Sequence, residues 1–390
     1  MRIRSSSALV AVLIVSFLAV ARADTGSFEP WVSLGRGGTE PGIHAAEDGT
    51  IYVESTGSRL WRSFDGGASF DALNVDLPNV IGGGDSDLAM RGSRIYYLDL
   101  WVGSNTIARS DDRGDTWSGG TPFTTLPLSD RQWIALGAPD DSGNDTVYAL
   151  YAMIQPPFQV MLARSRDNGF TWDRHIAVPG ALAARNYTGR LVSDGDKFIA
   201  FAWEDGGVTS VAFSADEGES WETRTVTESS FRGTFPGIGM DGDTIAVSYI
   251  DPVFRSTRVA VSRDRGRTWS EPVTVSDEQT TMFPAVAVRG SKIAVAWYGA
   301  QLDQPVDSDF VPRDTEWTAR YAESTDGGAM FARSEIVGFG KIGPICTRGL
   351  ACNGNRNLGD FLSVAITPAN KSVVAFGGAV EGGIKVARQR

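Results

Sequence analysis

Carboxylates and guanidiniums supply most of the chemistry open to this 390-residue chain, which holds two His and two Cys against 47 Asp plus Glu and 36 Lys plus Arg. Zinc fingers, HExxH metalloproteases and multi-thiolate clusters therefore lack their ligands, and a disulfide-dense scaffold is excluded. The most unusual segment is Gly82-Gly83-Gly84-Asp85-Ser86-Asp87. Its glycines let the backbone approach a ligand closely, and on an extended strand Asp85 and Asp87 point the same way. That pair could hold a calcium ion, the one cofactor the sequence suggests, or supply a catalytic acid, or simply satisfy a polar turn. His44 and His175 lie far apart along the chain and offer no triad, so both are read as bystanders.

Six further aspartates fall in one pattern, S-x-D-x-G-x-[ST]-[WF]. It recurs at Ser63-Phe70, Ser110-Trp117, Ser165-Trp172, Ser214-Trp221 and Ser262-Trp269, with Met330 as the one departure in Ser324-Phe331. In each copy the Asp can accept backbone N–H bonds inside a tight turn, the Gly permits positive φ, and the closing aromatic can enter the space between two sheets. Successive copies start 47 to 62 residues apart, the length of one four-stranded propeller blade and its connection.

Around each copy, apolar alternation predicts two strands before it, one running into it and one after it, as in Gly237-Met240, Thr244-Ile250, Arg258-Ser262 and Glu271-Val275. Innermost strands begin near Pro41, Asp85, Arg131, Gly189, Pro236, Pro284 and Phe361, which is seven, one more than the turns. The last unit supplies only Phe361-Ile366, Ser372-Phe376 and Ile384-Ala387, whereas residues 29–34 read as a fourth strand without a blade. The expected fold is all-β, a seven-bladed propeller of four-stranded antiparallel blades in which residues 29–34 pair with 384–388. Six blades with terminal decoration is the alternative.

The six turns resemble the Asp-box, or bacterial neuraminidase, repeat of sialidases and other secreted propellers. In that family the box joins the third and fourth strands, away from the active site. The resemblance therefore implies that Asp65, Asp112, Asp167, Asp216, Asp264 and Asp326 are structural. The opposite, top face then carries the function, near the axis. Both large insertions, 299–317 and 338–360, fall there. Glu40, His44, Asp85, Asp87, Arg131, Arg190, Arg232 and Asp360 lie near inner-strand starts, and Glu54, Asp99, Glu204, Asp205, Asp251 and Tyr298 at second-strand ends.

Sialidases bind the substrate carboxylate with three arginines and use a Tyr nucleophile activated by Glu. The resemblance thus implies an exo-α-sialidase-like glycosidase with Arg131, Arg190, Arg232 and Arg356 as an anion clamp and Tyr298 and Glu204 as nucleophile and base. Asp99 could serve another glycosidase or a polysaccharide lyase, and Trp101 and Trp133 form platforms for a saccharide. Two departures oppose true sialidase activity: Glu40-Pro41-Gly42-Ile43 stands where the family has Arg-Ile-Pro, and seven blades are counted instead of six. A non-catalytic carbohydrate- or protein-binding propeller is the second reading.

The start of the chain reads as a leader. Arg2 and Arg4 precede an uncharged run from Ala8 to Ala21, and Ala21-Arg22-Ala23 suits signal peptidase, so residues 1–23 are expected to be removed and 24–390 to form a single propeller domain. An uncleaved anchor is the alternative, although the run is short for a bilayer. Cleavage takes away three arginines and no acid, moving the formal charge from −11 to −14, which excludes a nucleic-acid partner. A secreted or periplasmic monomer is expected, free of the membrane, with an extracellular glycan or glycoconjugate as partner. In such a compartment Cys346 and Cys352 would pair as a structural staple.

Overall fold

The computed structural model describes residues 28–35, 37–75, 83–101, 104–124, 129–156, 158–172, 174–182, 187–332, 335–347, 352, 358–378 and 383–390. The leader read at 1–23 lies outside the described residues. Seven four-stranded antiparallel sheets form a ring. Their inner strands are Gly42–Ala45, Ser86–Arg91, Ser129–Pro139, Tyr187–Ser193, Gly237–Asp241, Thr280–Arg289 and Ser363–Ile366. The described residues contain a single 3-10 turn, Ser308–Phe310, and no helix long and apolar enough to cross a membrane.

Blade seven takes its outer strand from the other end of the chain, as the orphan segment predicts. Val32 pairs with Val386 and Ser33 with Lys385, and Phe28 makes an isolated bridge to Gln389. The closing strand is shorter than 29–34, however. The Glu29 and Leu34 amides still donate to Arg388 and Ile384, but Pro30 has no N–H and Trp31 lies outside the ladder.

Each blade interface has its own apolar cluster, and all six turn aromatics are used there: Phe70, Trp117, Trp172, Trp221, Trp269 and Phe331 pack where their blade meets the preceding one. Blade seven has no such turn. At its interface with blade six, Phe28 and Trp31 pack instead, with the Phe28 ring edge-on to Tyr321 at 4.9 Å. Closure therefore replaces the missing aromatic as well as the missing strand.

The turns are held as their sequence demands. At Asp264, for example, Oδ1 accepts from Ser262 Oγ at 2.8 Å and the Thr268 amide at 2.8 Å, Oδ2 accepts from Thr268 Oγ1 at 2.7 Å, and the Gly266 amide donates to Ser262 Oγ. The same Ser–Asp bond and amide contacts recur at Asp65, Asp112, Asp167, Asp216 and Asp326. All six are held below the usual carboxylate range by accepting these bonds, with partial burial working in opposition.

Both insertions leave from strand ends opposite the turns but are shorter than the sequence suggests. The first runs between Lys292–Ala300 and Glu316–Ser324, so its ends belong to strands. The second begins after the outer strand Glu335–Ile342, which takes up 338–342. Cys346 and Cys352 form a disulfide within it, which is consistent with an oxidising compartment.

Candidate functional site

Residues from all seven inner strands converge on an axial cavity of about 320 Å³. Its lower wall is apolar, with Ile43, Val192, Ile238, Met240, Val286 and Ile366; its top carries Glu40, Glu54, Asp85, Arg131, Arg190 and Asp360. Local irregularity aims the arginines. The inner strands of blades three, four and six shift register between Asp130 and Trp133, Thr188 and Leu191, and Met282 and Ala285, so Arg131, Arg190 and Phe283 all sit at bulges. Glu40, Arg131 and Phe283 also hold φ near +55°, a conformation costly for residues with a side chain and concentrated at functional sites.

Arg131 is buried against the rings of Phe235 and Phe361, which touch each other at 4.8 Å and lie 4.5 and 5.0 Å from its guanidinium carbon. Its Nη1 donates to Asp85 Oδ2 at 3.0 Å, and its Nη2 donates to Asp360 Oδ2. Burial works against its charge, but Asp85, Glu40, Asp360 and Asp130 together hold it protonated above the ordinary arginine value. Glu40 behaves differently. Burial first, then repulsion from and hydrogen bonding to Asp85, push its carboxyl well above the usual range against the pull of Arg131. It lies 3.7 Å from Arg131 Nη1, farther than Asp85 and Asp360.

Arg190 anchors a second group. Its Nη2 lies 2.6 Å from Asp87 Oδ1, 2.8 Å from His44 Nε2 and 3.5 Å from Glu54 Oε1. His44 Nε2 is also 3.0 Å from Glu54 Oε1. Glu54 comes from the second strand of blade one and reaches the axis because Gly42 opposite has no side chain: a Cβ there would sit 1.5 Å from Glu54 Oε1. His44, Glu54 and Asp87 offer ligand atoms within 4.8 Å of one another, the one such metal-capable group among the described residues. Arg190 Nη2, however, sits among those three atoms, in the position a bound ion would take.

Several sequence expectations change here. Asp85 and Asp87, read as a calcium pair, are turned apart, one to Arg131 and the other to Arg190. His44 is no bystander; period-2 alternation from Gly42 already places it on the axial face of its strand. Tyr298 is fully buried and bonds only the backbone of Gly377, donating to its carbonyl and accepting from its amide at 2.8 Å, while burial raises its hydroxyl well above the ordinary tyrosine value. Glu204 accepts from the Gly207 and Gly233 amides at 2.6 and 2.9 Å and so fastens a hairpin to the next link. Arg232 is exposed in that link.

Asp99 lies between blades one and two, bonded to Ser58 Oγ at 2.5 Å. Tyr298, Glu204 and Asp99 are thus not brought together. Asp251 pairs with Arg258 at 3.3 Å on blade five. Trp133 does border the cavity, its Nε1 donating to Thr188 O and its ring 5.3 Å from Phe361. Arg356 and the side chain of Trp101 lie outside the described residues. Gln132, read with Arg131 and Trp133 as part of a platform, does line the cavity; Phe235 and Phe361 were missed as site residues, although Phe235-Pro236 and Phe283-Pro284 repeat at inner-strand starts as Glu40-Pro41 does.

No family model and no curated protein matches the chain. Solved structures do. One, titled YCF48 bound to D1 peptide, is 15% identical and covers 97% of this chain and 100% of its own, with a TM-score of 0.55. The phage phi92 endosialidase is 10% identical over 94% of this chain and 69% of its own, with a TM-score of 0.52. The Hadza microbial sialidase Hz136 is 17% identical over 89% and 74%, with a TM-score of 0.47. The fold is that of the sialidase-like and YCF48 β-propellers, and at these identities the likeness extends to the fold alone.

Proposed function

We propose that the chain is a secreted Asp-box propeller whose axial pocket, on the top face, binds an extracellular glycan. One observation carries this reading: a cavity shared by all seven blades whose rim combines aromatic rings, Trp133 and Phe361, with converging charged groups, the composition of a saccharide site. The Asp-box assignment is supported by six turns with one hydrogen-bond scheme, and secretion by the leader at 1–23 together with the disulfide. The mature domain, 24–390, is taken to act as a monomer, without nucleic acid or membrane. A glycan array probed with the full chain and with Trp133→Ala tests it. Binding lost in the variant supports the pocket; binding retained at full strength places the glycan elsewhere.

Glycoside hydrolysis is the second reading, favoured by Glu40, whose carboxyl burial and the neighbouring Asp85 push well above the usual range, the direction a general acid needs. Glu40 would protonate the glycosidic oxygen as its bond to the anomeric carbon breaks, and a water that gives its proton to a second axial carboxylate would add to that carbon; Asp85, hydrogen-bonded to Glu40, is too close to be that second group. The exo-α-sialidase form has less support, because Tyr298 is buried and Arg131 and Arg190 are already engaged by carboxylates. Turnover of aryl glycosides by the full chain, abolished in Glu40→Gln, is the expected result; turnover unaffected by that change removes this reading.

A further inference from the structure

We infer that the ligand of the axial pocket carries a protonated amine, so that the glycan proposed above is rich in amino sugar with free amino groups. This inference rests on the glycan reading. Charge gives the first argument. Five carboxyl groups, from Glu40, Glu54, Asp85, Asp87 and Asp360, surround two guanidiniums at this axis, and both guanidiniums have their N–H groups turned to those carboxylates. An anionic sugar would have to break these pairs and then sit among acids.

Hydrogen-bond accounting gives an independent argument. Glu54 and Gln132 both line the cavity and are 0% and 2% exposed, yet Glu54 Oε2 and Gln132 Oε1 have no partner. The Gln132 orientation is fixed by its other end, because its Nε2 donates to the Asp85 carbonyl and a flipped amide would set oxygen against oxygen. Buried acceptors without donors are costly, and a ligand of N–H and O–H groups satisfies them. An ammonium brings three donors and the charge the acids favour; a carboxylate brings neither. A metal ion fits less well, since Arg190 Nη2 already lies among His44, Glu54 and Asp87.

Titration calorimetry of the full chain at pH 6 tests this with glucosamine tetramer, N-acetylglucosamine tetramer, sialyllactose and n-butylammonium. Glucosamine tetramer is expected to bind at least tenfold tighter than the acetylated tetramer, with no binding of sialyllactose, and to weaken at least tenfold in Glu54→Gln. Gln132→Leu, which removes the other acceptor, should weaken it too and guards against misfolding of the first variant. Equal binding of both tetramers, or preference for sialyllactose, overturns the amine and leaves the glycan reading standing. Butylammonium binding that Glu54→Gln abolishes, with no oligosaccharide bound, keeps the amine and overturns the glycan. No binding of any probe overturns both.

Discussion

Replacing Asp99 by Asn should stabilise this protein at neutral pH and leave it almost unchanged in acid. Asp99 is 2% exposed; Oδ2 accepts from Ser58 Oγ, and Oδ1 has no partner. Burial pushes its pKa up from 3.8 to about 6, against the lowering effect of Ser58 and of the Gly83 and Leu100 amides. The folded value lies above the unfolded one, so stability is fully present below the unfolded value and is lost as pH rises through the folded one. Two units at ~1.4 kcal/mol each give roughly 3 kcal/mol lost between about pH 4 and pH 6 to 7. Asn keeps an oxygen for Ser58 and cannot ionise, so it avoids that loss. Urea unfolding of both proteins at pH 4, 5, 6 and 7 should give curves that coincide within about 1 kcal/mol at pH 4 and separate by up to ~3 kcal/mol at pH 7, the variant being more stable. Parallel pH profiles, or a variant less stable at pH 7, would refute the claim that Asp99 is an ionised and poorly satisfied buried acid.

Arg131→Met leaves Asp85 and Asp360 without their cation and should cost about 3–5 kcal/mol in the same unfolding assay, the penalty of an uncompensated buried charge; a loss below ~1 kcal/mol would contradict the network drawn here. Tyr298→Phe orphans the Gly377 amide and should cost ~1–3 kcal/mol while leaving glycan binding intact, whereas lost binding at unchanged stability would return Tyr298 to the site. Cys352→Ser opens a loop of six-residue separation, for which chain entropy gives roughly 2 kcal/mol, felt as faster proteolysis near 346 rather than as global unfolding. A chelator should leave the wild type unaffected, and Arg190→Met, which empties the space among His44, Glu54 and Asp87, should gain a zinc-dependent rise in Tm; the same rise in the wild type would show that the guanidinium does not hold that space.

Repetition made the fold legible. Each Ser–Asp–Gly turn satisfies itself within eight residues, so its conformation depends little on the rest of the ring, and six copies in phase give blade length and strand polarity together. Closure was legible for the same reason, since a three-strand unit needs a fourth strand. The length of that strand was not, because the interruption at Pro30-Trp31 matters only once Arg388 is opposite it. Insertion bounds failed similarly: 338–342 reads as loop until its pairing with Glu316–Ala319 is known.

The axial site was legible in position but not in partnership. Polarity and alternation send Arg131, Arg190, Asp85 and Asp87 to the top of the axis, yet which carboxylate meets which guanidinium depends on bulges in blades three and four and on the missing side chain of Gly42. Tyr298 shows the opposite error. It stands at the right height on a second strand, but its ring turns between blades six and seven, 6.2 Å from Phe283, and its hydroxyl is consumed by Gly377. A resemblance transfers the height of a residue in a blade more safely than its direction, because height follows from the repeat and direction from neighbours on other blades. In this ring those neighbours are acids. The guanidiniums that would hold a sialic acid are therefore already answered from within the protein, and two cavity-lining acceptors without a partner, Glu54 Oε2 and Gln132 Oε1, call for a donor.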